Sequence, residues 1–321
     1  MRILIVGAGA TGTVFAAALL KGGAEVGFYV REHHRARLQQ GLTLYQQGFF
    51  TLREERISHI AVATTPAEVA ASHWDEVWFT TPSDALRGPW LNEFLTATGR
   101  AALVVLQPDP EDCQYLREHG ATDRPIVQGL IQFSAWQSPL PHEPASQNGI
   151  TCVLPPGVAA QFDAECAASA TIAATLTRGG LRAAVRHDLP AHAARMSALT
   201  IPLIAGLELV DWRIERYANH DVLKIAVAAA HEAIGGQCAR FAVRKPIRFK
   251  LLLNRQAIAL LLRLVPWVPG FDAEAFLRHH FSKVDRQTRQ MLGTYIRHAA
   301  QNGLPHTALE QLLGALPPPT G

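Results

Sequence analysis

The sequence predicts an α/β protein in which a parallel-sheet domain is followed by a mostly α-helical domain. In residues 1–187, short apolar runs alternate with helix-like segments, the pattern of a parallel sheet covered on both faces. From Asp188 onward this strand pattern stops and long helical periodicities replace it. A chain of 321 residues is long enough for two ordinary domains. We therefore predict one domain over residues 1–187 and a second over residues 188–321.

Each element of the first domain is predicted from an apolar run or from a helical period closed by glycine. The predicted strands are residues 2–6, 25–30, 42–44, 49–53, 60–63, 76–80, 101–106, 126–133, 149–154 and 181–186. Gly22-Gly23 ends a first helix over residues 11–21, and further helices are predicted at 89–96 and 163–178. Residues 42–44 and 49–53 form a hairpin in this prediction.

The second domain is predicted to be helical because its apolar residues recur at helical spacing. Asp188 precedes Leu189-Pro190 and is suited to cap the first helix, with proline in its first turn. The predicted helices are residues 191–209, 221–241, 249–264, 273–302 and 307–316.

Composition and charge exclude several classes of protein. Hydrophobic residues make up 48% and charged residues 18%, so a sizeable core is expected and intrinsic disorder is excluded. The formal charge of +3 is too small for a typical nucleic-acid-binding protein. That total adds −3 for residues 1–187 (14 basic, 17 acidic) to +6 for residues 188–321 (16 basic, 10 acidic).

The cysteine and histidine patterns predict neither a disulfide scaffold nor a metal site. The four cysteines are scattered without a C-x-x-C pair, and the N-terminus enters a strand pattern without signal-peptide anatomy. We therefore expect a cytoplasmic protein. Adjacent histidine pairs do not converge on a helix, so no metal is expected.

The strongest motif is Gly7-Ala8-Gly9-Ala10-Thr11-Gly12, which lies between the first predicted strand and the first helix. In that context Gly7 permits a tight turn, Gly9 lets the backbone approach a pyrophosphate, and Gly12 lets the helix pack close to the strand. Free N–H groups and the helix dipole then face the phosphates. The motif predicts a Rossmann-type domain that binds a dinucleotide; the alternative is a glycine-rich corner without a ligand.

The end of the second strand distinguishes NADP from NAD. An acidic residue there binds the ribose hydroxyls of NAD, whereas arginine accommodates the additional phosphate of NADP. Arg31 stands at this position, with Arg35 and Arg37 close behind, and its guanidinium can grip a phosphate through two hydrogen bonds. We predict NADP. The alternative is that Glu32 takes the ribose and Arg31 is solvated.

With these residues the chain resembles the ketopantoate reductase (2-dehydropantoate 2-reductase) family. The resemblance extends from residues 3–12 and the second strand ending in Arg31 to Pro202-Leu203 and the segment 287–303. It implies an NADPH-dependent reductase of a 2-keto acid with a helical substrate and dimerisation domain. The cofactor-binding residues that we predict are Gly7, Ala8, Gly9, Ala10, Thr11, Gly12, Arg31, Thr81, Gln107, Pro108 and Ala135.

The catalytic positions depart from the family pattern. Where the family has a lysine acid, followed by two asparagines at one-turn intervals, this chain has Ala193, Ser197 and Ile201. The family's substrate-binding glutamate corresponds to Gln287. The family's chemistry cannot run unchanged through these residues, because hydride transfer to a carbonyl needs a positioned donor for the developing negative charge.

Ser197 and Gln287 are the predicted catalytic residues, together with Lys283 and His280. On one continuous helix, His280, Lys283 and Gln287 would form a single stripe. The leading hypothesis is an NADP-dependent oxidoreductase acting on a carbonyl or imine other than ketopantoate. The alternatives are a non-catalytic NADP(H)-binding sensor and a true ketopantoate reductase with a relocated acid.

The expected partner is a small-molecule substrate, and a homodimer is compatible with the sequence. Neither a nucleic-acid partner nor an integral membrane segment is expected. Residues 238–263 carry seven basic side chains and no acidic one, and this segment becomes apolar toward its end. A basic amphipathic helix can lie on an anionic membrane. We favour the alternative of a core-facing helix with a solvated basic start, compatible with a dimer interface.

Overall fold

The computed structural model describes residues 1–48, 51–58, 60–140, 143, 147–265 and 272–319, apart from the side chains of Arg248, Lys250 and Leu251. The chain divides into two compact units, Met1–Pro190 and Ala191–Gly321. The first unit contains the strands and the second is helical, so the predicted fold class is confirmed. The functional roles assigned to the two domains stay predictions.

The first unit contains twelve strands within its described residues. They are β1 (Arg2–Val6), β2 (Glu25–Tyr29), β3 (Leu42–Gln47), β4 (Leu52–Ile57), β5 (Ala61–Ala63), β6 (Glu76–Phe79), β7 (Ala102–Val105), β8 (Ile126–Leu130), β9 (Ser134–Ser138), β10 (Gly149–Val153), β11 (Ala160–Asp163) and β12 (Ala183–Arg186). Its α-helices are α1 (Ala10–Lys21), α2 (Arg35–Gln39), α3 (Pro66–Ala70), α4 (Leu91–Ala97), α5 (Asp112–Leu116) and α6 (Ala168–Arg178). Short 3₁₀ turns occupy Glu32–His34 and Ser83–Arg87.

The strands form two sheets. The larger has the order β12-β11-β8-β7-β6-β1-β2-β5, and it is parallel except where β11 pairs antiparallel with β8. The smaller has the order β4-β3-β10-β9, in which only β3 and β10 run parallel. The chain order reverses at β1, whose neighbours are β2 and β6. In open α/β sheets, ligands bind beyond the carboxyl ends of the strands at this kind of switch point.

The strand β1 shows why the larger sheet is buried on both faces. Its side chains alternate, so Ile3 and Ile5 join the apolar cluster around α1 and α6, while Leu4 and Val6 join the cluster around α3 and α4. All four are buried. This double burial explains the continuous apolar run from which the strand was predicted.

The second unit is built from eight helices over the residues that are described. They are α7 (Leu189–Glu208), α8 (Ile214–Asn219), α9 (Val222–Arg240), α10 (Ile247–Leu252), α11 (Arg255–Leu264), α12 (Ala273–Ser282), α13 (Asp285–Gln301) and α14 (Thr307–Ala315). The helix α9 packs against α13 and α14 and is buried along most of its length. No helix in the described ranges is long and apolar enough to span a bilayer.

Several element predictions need correction. The run predicted as one strand over residues 126–133 is two strands, because β8 ends at Leu130 and β9 begins at Ser134 in the other sheet. The strand β11 was not predicted. The predicted hairpin exists as β3 and β4, although the first two residues of its second predicted strand, Phe49 and Phe50, lie outside the described residues.

Two predicted helices of the second unit are each divided in two. Residues 249–264 were predicted as one helix, but Asn254 begins α11 by accepting a hydrogen bond from Ala257 N at 2.9 Å. Residues 273–302 were also predicted as one helix, but Val284 leaves helical geometry between α12 and α13. The apolar period is thus interrupted by a side-chain cap at Asn254 and by a non-helical backbone conformation at Val284.

Candidate functional site

The glycine motif forms the turn between β1 and α1, as the sequence predicts. The strand β1 ends at Val6, Gly7 has φ +95°, and Gly9 precedes the first residue of α1. The Thr80 hydroxyl, just beyond β6, lies 2.9 Å from the carbonyl oxygens of both Val6 and Gly7 and donates to them. The turn is thus fixed by the neighbouring strand end, a contact that the motif itself does not reveal.

Gly9 and Gly12 of the motif are under different steric constraints. A Cβ on Gly12 would lie 2.3 Å from the carbonyl oxygen of Gly7, so only glycine lets α1 approach the turn this closely. A Cβ on Gly9 would meet nothing within 4 Å. The protein's own atoms therefore do not demand glycine at position 9, whereas a ligand lying on the backbone there would.

A cavity of 690 Å³ opens beside this turn, within the size range of small-molecule sites. It extends from the glycine turn to the end of β2 and is lined largely by apolar surface. Its lining includes Gly7, Ala8, Gly9, Tyr29, Arg31, His34, Arg37, Thr64, Thr81, Pro82, Trp90 and Gln137. Five residues of the predicted cofactor set, Gly7, Ala8, Gly9, Arg31 and Thr81, are thereby brought together.

The end of the cavity at β2 is basic. Arg31, His34 and Arg37 line it within seven residues of the chain. Arg31 is exposed, and Arg37 donates a hydrogen bond to Gln137 Oε1 at 3.0 Å. Burial and the neighbouring cations lower the pKa of His34. His34 was missed from the sequence because histidine so near a strand end has no motif of its own.

Glu32 is held by other residues at this same edge. The Arg35 guanidinium donates to Glu32 Oε1 at 3.0 Å and also to both carboxylate oxygens of Glu68 at 2.8 Å. Hydrogen bonds from Arg35 and Thr64 lower the pKa of the Glu32 carboxyl. The carboxylate that could bind a ribose is thus already engaged, while Arg35 is neutralised by two acidic partners.

Two buried polar atoms next to the glycine turn have no hydrogen-bond partner among the described residues. They are Thr81 Oγ1 and Gln107 Oε1. The Gln107 amide donates to the Thr81 carbonyl at 3.0 Å, so the two side chains are fixed side by side. Buried polar atoms are normally satisfied in proteins, and an unsatisfied pair beside a cavity is what a polar ligand would complete.

Six residues of the predicted cofactor set do not line this cavity, namely Ala10, Thr11, Gly12, Gln107, Pro108 and Ala135. Pro108 is exposed directly after Gln107, and Ala135 is buried in β9 opposite Cys152. The predicted contacts of all six residues with a cofactor stay predictions.

A buried acidic cluster fixes the chain around this turn. Asp109 and Asp112 are both buried, and Arg87 donates to Asp112, as does the Ser83 hydroxyl at 2.7 Å. Burial and the neighbouring Asp109 raise the pKa of Asp112 to about 7, against the opposing effect of Arg87. The cluster joins the segments that follow β6 and β7, so it holds the backbone on which Gln107 lies.

In the second unit, Ser197 lies on α7 between two apolar positions. Ala193, Ser197 and Ile201 are all buried, and the Ser197 hydroxyl donates back to the Ala194 carbonyl at 3.1 Å. Gln287 is buried near the start of α13. The face that is polar in the ketopantoate reductase pattern is therefore mostly apolar in this chain.

The predicted stripe of His280, Lys283 and Gln287 does not exist as one helical face. His280 belongs to α12, Lys283 follows its end, and Gln287 belongs to α13. His280 packs on Phe276 and Phe281, and burial lowers its pKa to about 4. Lys283 Nζ lies 2.7 Å from His279 Nε2, and burial lowers the pKa of Lys283 as well. Asp285, in the first turn of α13, was the signal for a new helix start.

No group of three or more histidine, cysteine, aspartate or glutamate side chains in the described ranges could hold a metal ion.

Comparison with known families supports the resemblance inferred from the motif. Residues 3–83 match the family model described as ketopantoate reductase PanE/ApbA. This stretch contains the glycine turn, Arg31 and Thr81. No curated protein sequence matches the chain significantly.

Solved structures share the fold over nearly the whole chain. A PanE/ApbA family ketopantoate reductase from Ralstonia eutropha JMP134 superposes with a TM-score of 0.72 at 16% identity, covering 98% of this chain and 96% of that one. A dimeric ketopantoate reductase from Staphylococcus aureus gives a TM-score of 0.68 at 10% identity, with 98% and 96% covered.

D-mandelate dehydrogenase with NADH and anilino(oxo)acetate gives a TM-score of 0.70 at 14% identity, with 98% and 96% covered. At these identities the likeness establishes the fold. Together with the matched family model, it confirms the resemblance to the ketopantoate reductase family.

Proposed function

We propose that this chain is an NADP-dependent oxidoreductase that transfers a hydride to a carbonyl or imine substrate other than ketopantoate. The observation that carries the cofactor assignment is the cavity that joins the open backbone at Gly9 to the basic residues Arg31, His34 and Arg37. The matched family model over residues 3–83 supports the oxidoreductase class.

The residues present fit a dinucleotide with an additional phosphate. The backbone of Gly7–Gly12 would hold the pyrophosphate, and the unsatisfied atoms of Thr81 and Gln107 would bond polar groups of the cofactor. Arg31 would bind the extra phosphate of NADP through a charge-assisted hydrogen bond. The alternative cofactor is NAD, which a fold relative, D-mandelate dehydrogenase, carries as NADH.

Engagement of Glu32 favours NADP over NAD in this proposal. A ribose-binding carboxylate needs free acceptor lone pairs directed at the 2′- and 3′-hydroxyls. In this chain the Glu32 carboxylate already accepts hydrogen bonds from Arg35 and Thr64. Binding NAD through Glu32 would compete with these bonds, whereas binding NADP through Arg31 would not.

The substrate proposal rests on the apolar face of α7. Bound NADPH supplies a hydride, and the chain must stabilise the charge that develops on the accepting group. Ser197 and Gln287 can donate hydrogen bonds, but neither is an acid of suitable strength. An imine is protonated more readily than a ketone and tolerates a weaker donor. The absence of lysine at position 193 therefore favours an imine or an apolar ketone over an acidic keto acid.

There are two rival functions. A non-catalytic NADP(H) sensor is favoured by Ala193 and Ile201 and by the Ser197 hydroxyl that bonds its own helix. A ketopantoate reductase with a relocated acid would rely on His280 or Lys283. Against His280, its pKa of about 4 leaves a neutral imidazole at pH 7, whose remaining N–H can donate a hydrogen bond but is too weak an acid to give up its proton.

The test is NADPH oxidation against a panel of keto acids, apolar ketones and cyclic imines. We expect turnover with an imine or a ketone and at most trace turnover with ketopantoate. Gly9→Ala serves as the control that keeps the fold and blocks the cofactor. Tight NADPH binding without turnover on any substrate would establish the sensor. Ketopantoate turnover abolished by Lys283→Ala or His280→Gln would establish the third function.

We also propose a cytoplasmic location and, as an option, a homodimer. All four cysteines are free, and burial raises the thiol pKa of Cys113 and Cys152 to about 12, so these two groups stay in the thiol form at neutral pH. One fold relative, the enzyme from Staphylococcus aureus, is described as dimeric.

A further inference from the structure

Exposed aliphatic side chains are concentrated in one short part of the second unit. Nine large hydrophobic residues are exposed in the described chain, and six of them lie within residues 243–264. These six are Val243, Ile247, Leu252, Leu260, Leu261 and Leu264. Scattered single exposures are normal on protein surfaces, but a concentration of this kind marks an interaction site. We call residues 243–264 the leucine-rich surface.

The helix α11 shows the arrangement most clearly. Leu260, Leu261 and Leu264 are each more than half exposed, at 58%, 58% and 55%. At 3.6 residues per turn they fall within an arc of about 100° of the helix circumference. The opposite side of the helix carries Ala259, which is buried, and Ile258, which packs on the core of the second unit. The helix is therefore anchored on one side and presents leucine on the other.

This finding corrects one part of the favoured sequence interpretation, the burial of the leucines of α11. A core-facing helix with a solvated basic start would bury its leucines and expose its charges. The structure buries Ala259 and leaves three leucines of α11 in solvent. The preceding helix α10 likewise exposes Ile247 and Leu252, at 69% and 65%. Phe249, Leu253 and Ala259 are buried in the core of the second unit, whereas the six exposed apolar residues of this segment are not.

The surroundings of the leucine-rich surface are basic. Residues 238–263 contain seven lysines and arginines and no acidic residue. Arg244 is exposed, and Arg263 donates to the neutral amide of Asn219 at 2.7 Å, so it keeps its charge. A guanidinium nitrogen of Arg255 lies 3.7 Å from Asp221 Oδ1, so these two side chains form an ion pair.

We propose that the leucine-rich surface docks on an anionic lipid bilayer, with the leucines of α11 in the interface and the basic residues against lipid headgroups. Amphipathic helices bind membranes in this way, by burying an apolar face at the headgroup boundary while Lys and Arg contact anionic lipids. The docking is peripheral and involves no spanning helix.

Charge decides between a bilayer and a second copy of the chain. A two-fold dimer places the same patch of both subunits face to face. Here that would bring together two copies of a segment that contains seven basic residues and no acidic residue, and juxtaposed like charges disfavour association. An anionic bilayer supplies the opposite charge, and it accepts leucine side chains without a shaped pocket.

The experiment is co-sedimentation of the full chain with vesicles of phosphatidylcholine, with or without about 30% phosphatidylglycerol. We expect binding to the anionic vesicles only, weakened strongly at about 0.5 M salt, where charges are screened within a few ångströms. The double variant Leu260→Ser/Leu264→Ser should bind at least about tenfold more weakly, because its apolar face is lost. Leu52→Ser, at a residue 51% exposed on β4, is the matched control and should bind like the wild type.

A charge variant keeps the test independent of folding effects. Arg244→Glu changes an exposed side chain and should reduce binding roughly tenfold, since each basic residue near an anionic surface contributes roughly fivefold. Thermal unfolding checks that each variant is folded.

Three results would overturn the proposal. They are equal binding to neutral and anionic vesicles, no binding to either, and wild-type binding by the folded leucine double variant. A concentration-dependent dimer that this variant dissociates would assign the surface to a second copy.

Discussion

At the residue scale, the cofactor assignment depends on which side chain at the end of β2 is free to act. Arg31 could be singled out from the sequence because it occupies the position that distinguishes NADP from NAD. The engagement of Glu32 could not be predicted from the sequence, because its partner Thr64 comes from a segment more than 30 residues later. Its other partner, Arg35, is held in place by Glu68, which also lies more than 30 residues further along the chain. A sequence shows which charges are present, whereas their pairing depends on the fold.

Glu76 provides a test of buried charge in the first unit. It is buried in β6, accepts a hydrogen bond from Trp78 Nε1 at 2.8 Å, and burial raises its pKa from 4.5 to about 7. The folded state therefore binds this proton more tightly than the unfolded state, and the carboxyl costs stability as the pH rises from about 4.5 through 7.

Glu76→Gln should remove that cost and keep an acceptor for Trp78. We expect the variant to gain about 2 kcal/mol relative to the wild type between pH 5 and pH 8, measured by urea unfolding at both values. Glu54→Gln, at an exposed residue of β4, should change little at either pH. A gain that is the same at pH 5 and pH 8 would show that Glu76 is not held in a desolvated site.

At the element scale, the strand–turn–helix unit was the most predictable part of the chain. The β1 run, the spacing of glycines and the helix start agree with one another, and the structure reproduces them. The breaks in the C-terminal helices were less predictable. Apolar periodicity continues across Asn254 and Val284, and the new helix starts are marked only by the Asn254 cap and by Asp285 in the first turn of α13.

Substitutions at Gly9 and Gly12 should separate binding from folding. At Gly9 an added Cβ meets no protein atom, so Gly9→Ala should keep stability within about 1 kcal/mol of the wild type. It should weaken NADPH binding at least about tenfold, because the methyl group occupies space that the pyrophosphate needs. Fluorescence titration and thermal unfolding measure the two effects.

Gly12→Ala should instead damage both properties. Its Cβ would stand 2.3 Å from the Gly7 carbonyl oxygen, so α1 must move and the unit loses stability by about 2 kcal/mol or more. Unchanged NADPH affinity in folded Gly9→Ala would contradict the placement of the cofactor on this turn.

At the scale of the whole molecule, the two-domain organisation followed from the change of pattern at Asp188, and the contact division falls close by, after Pro190. The smaller sheet was not foreseen, because periodicity identifies strands but not their sheet. The exposure of the leucines of α11 was not foreseen either. A helical period shows that a segment is apolar on one side, and it does not show whether a neighbour covers that side.

The proposed function requires that NADP(H) binds at the basic end of the cavity in the first unit. The most direct test measures the dissociation constants of NADPH and NADH by fluorescence titration at pH 7, for the wild type and for Arg31→Ala. We predict that the wild type binds NADPH at least about tenfold more tightly than NADH, and that Arg31→Ala weakens NADPH by roughly 10- to 100-fold with little change for NADH. Equal losses for both cofactors, or tighter binding of NADH by the wild type, would contradict it.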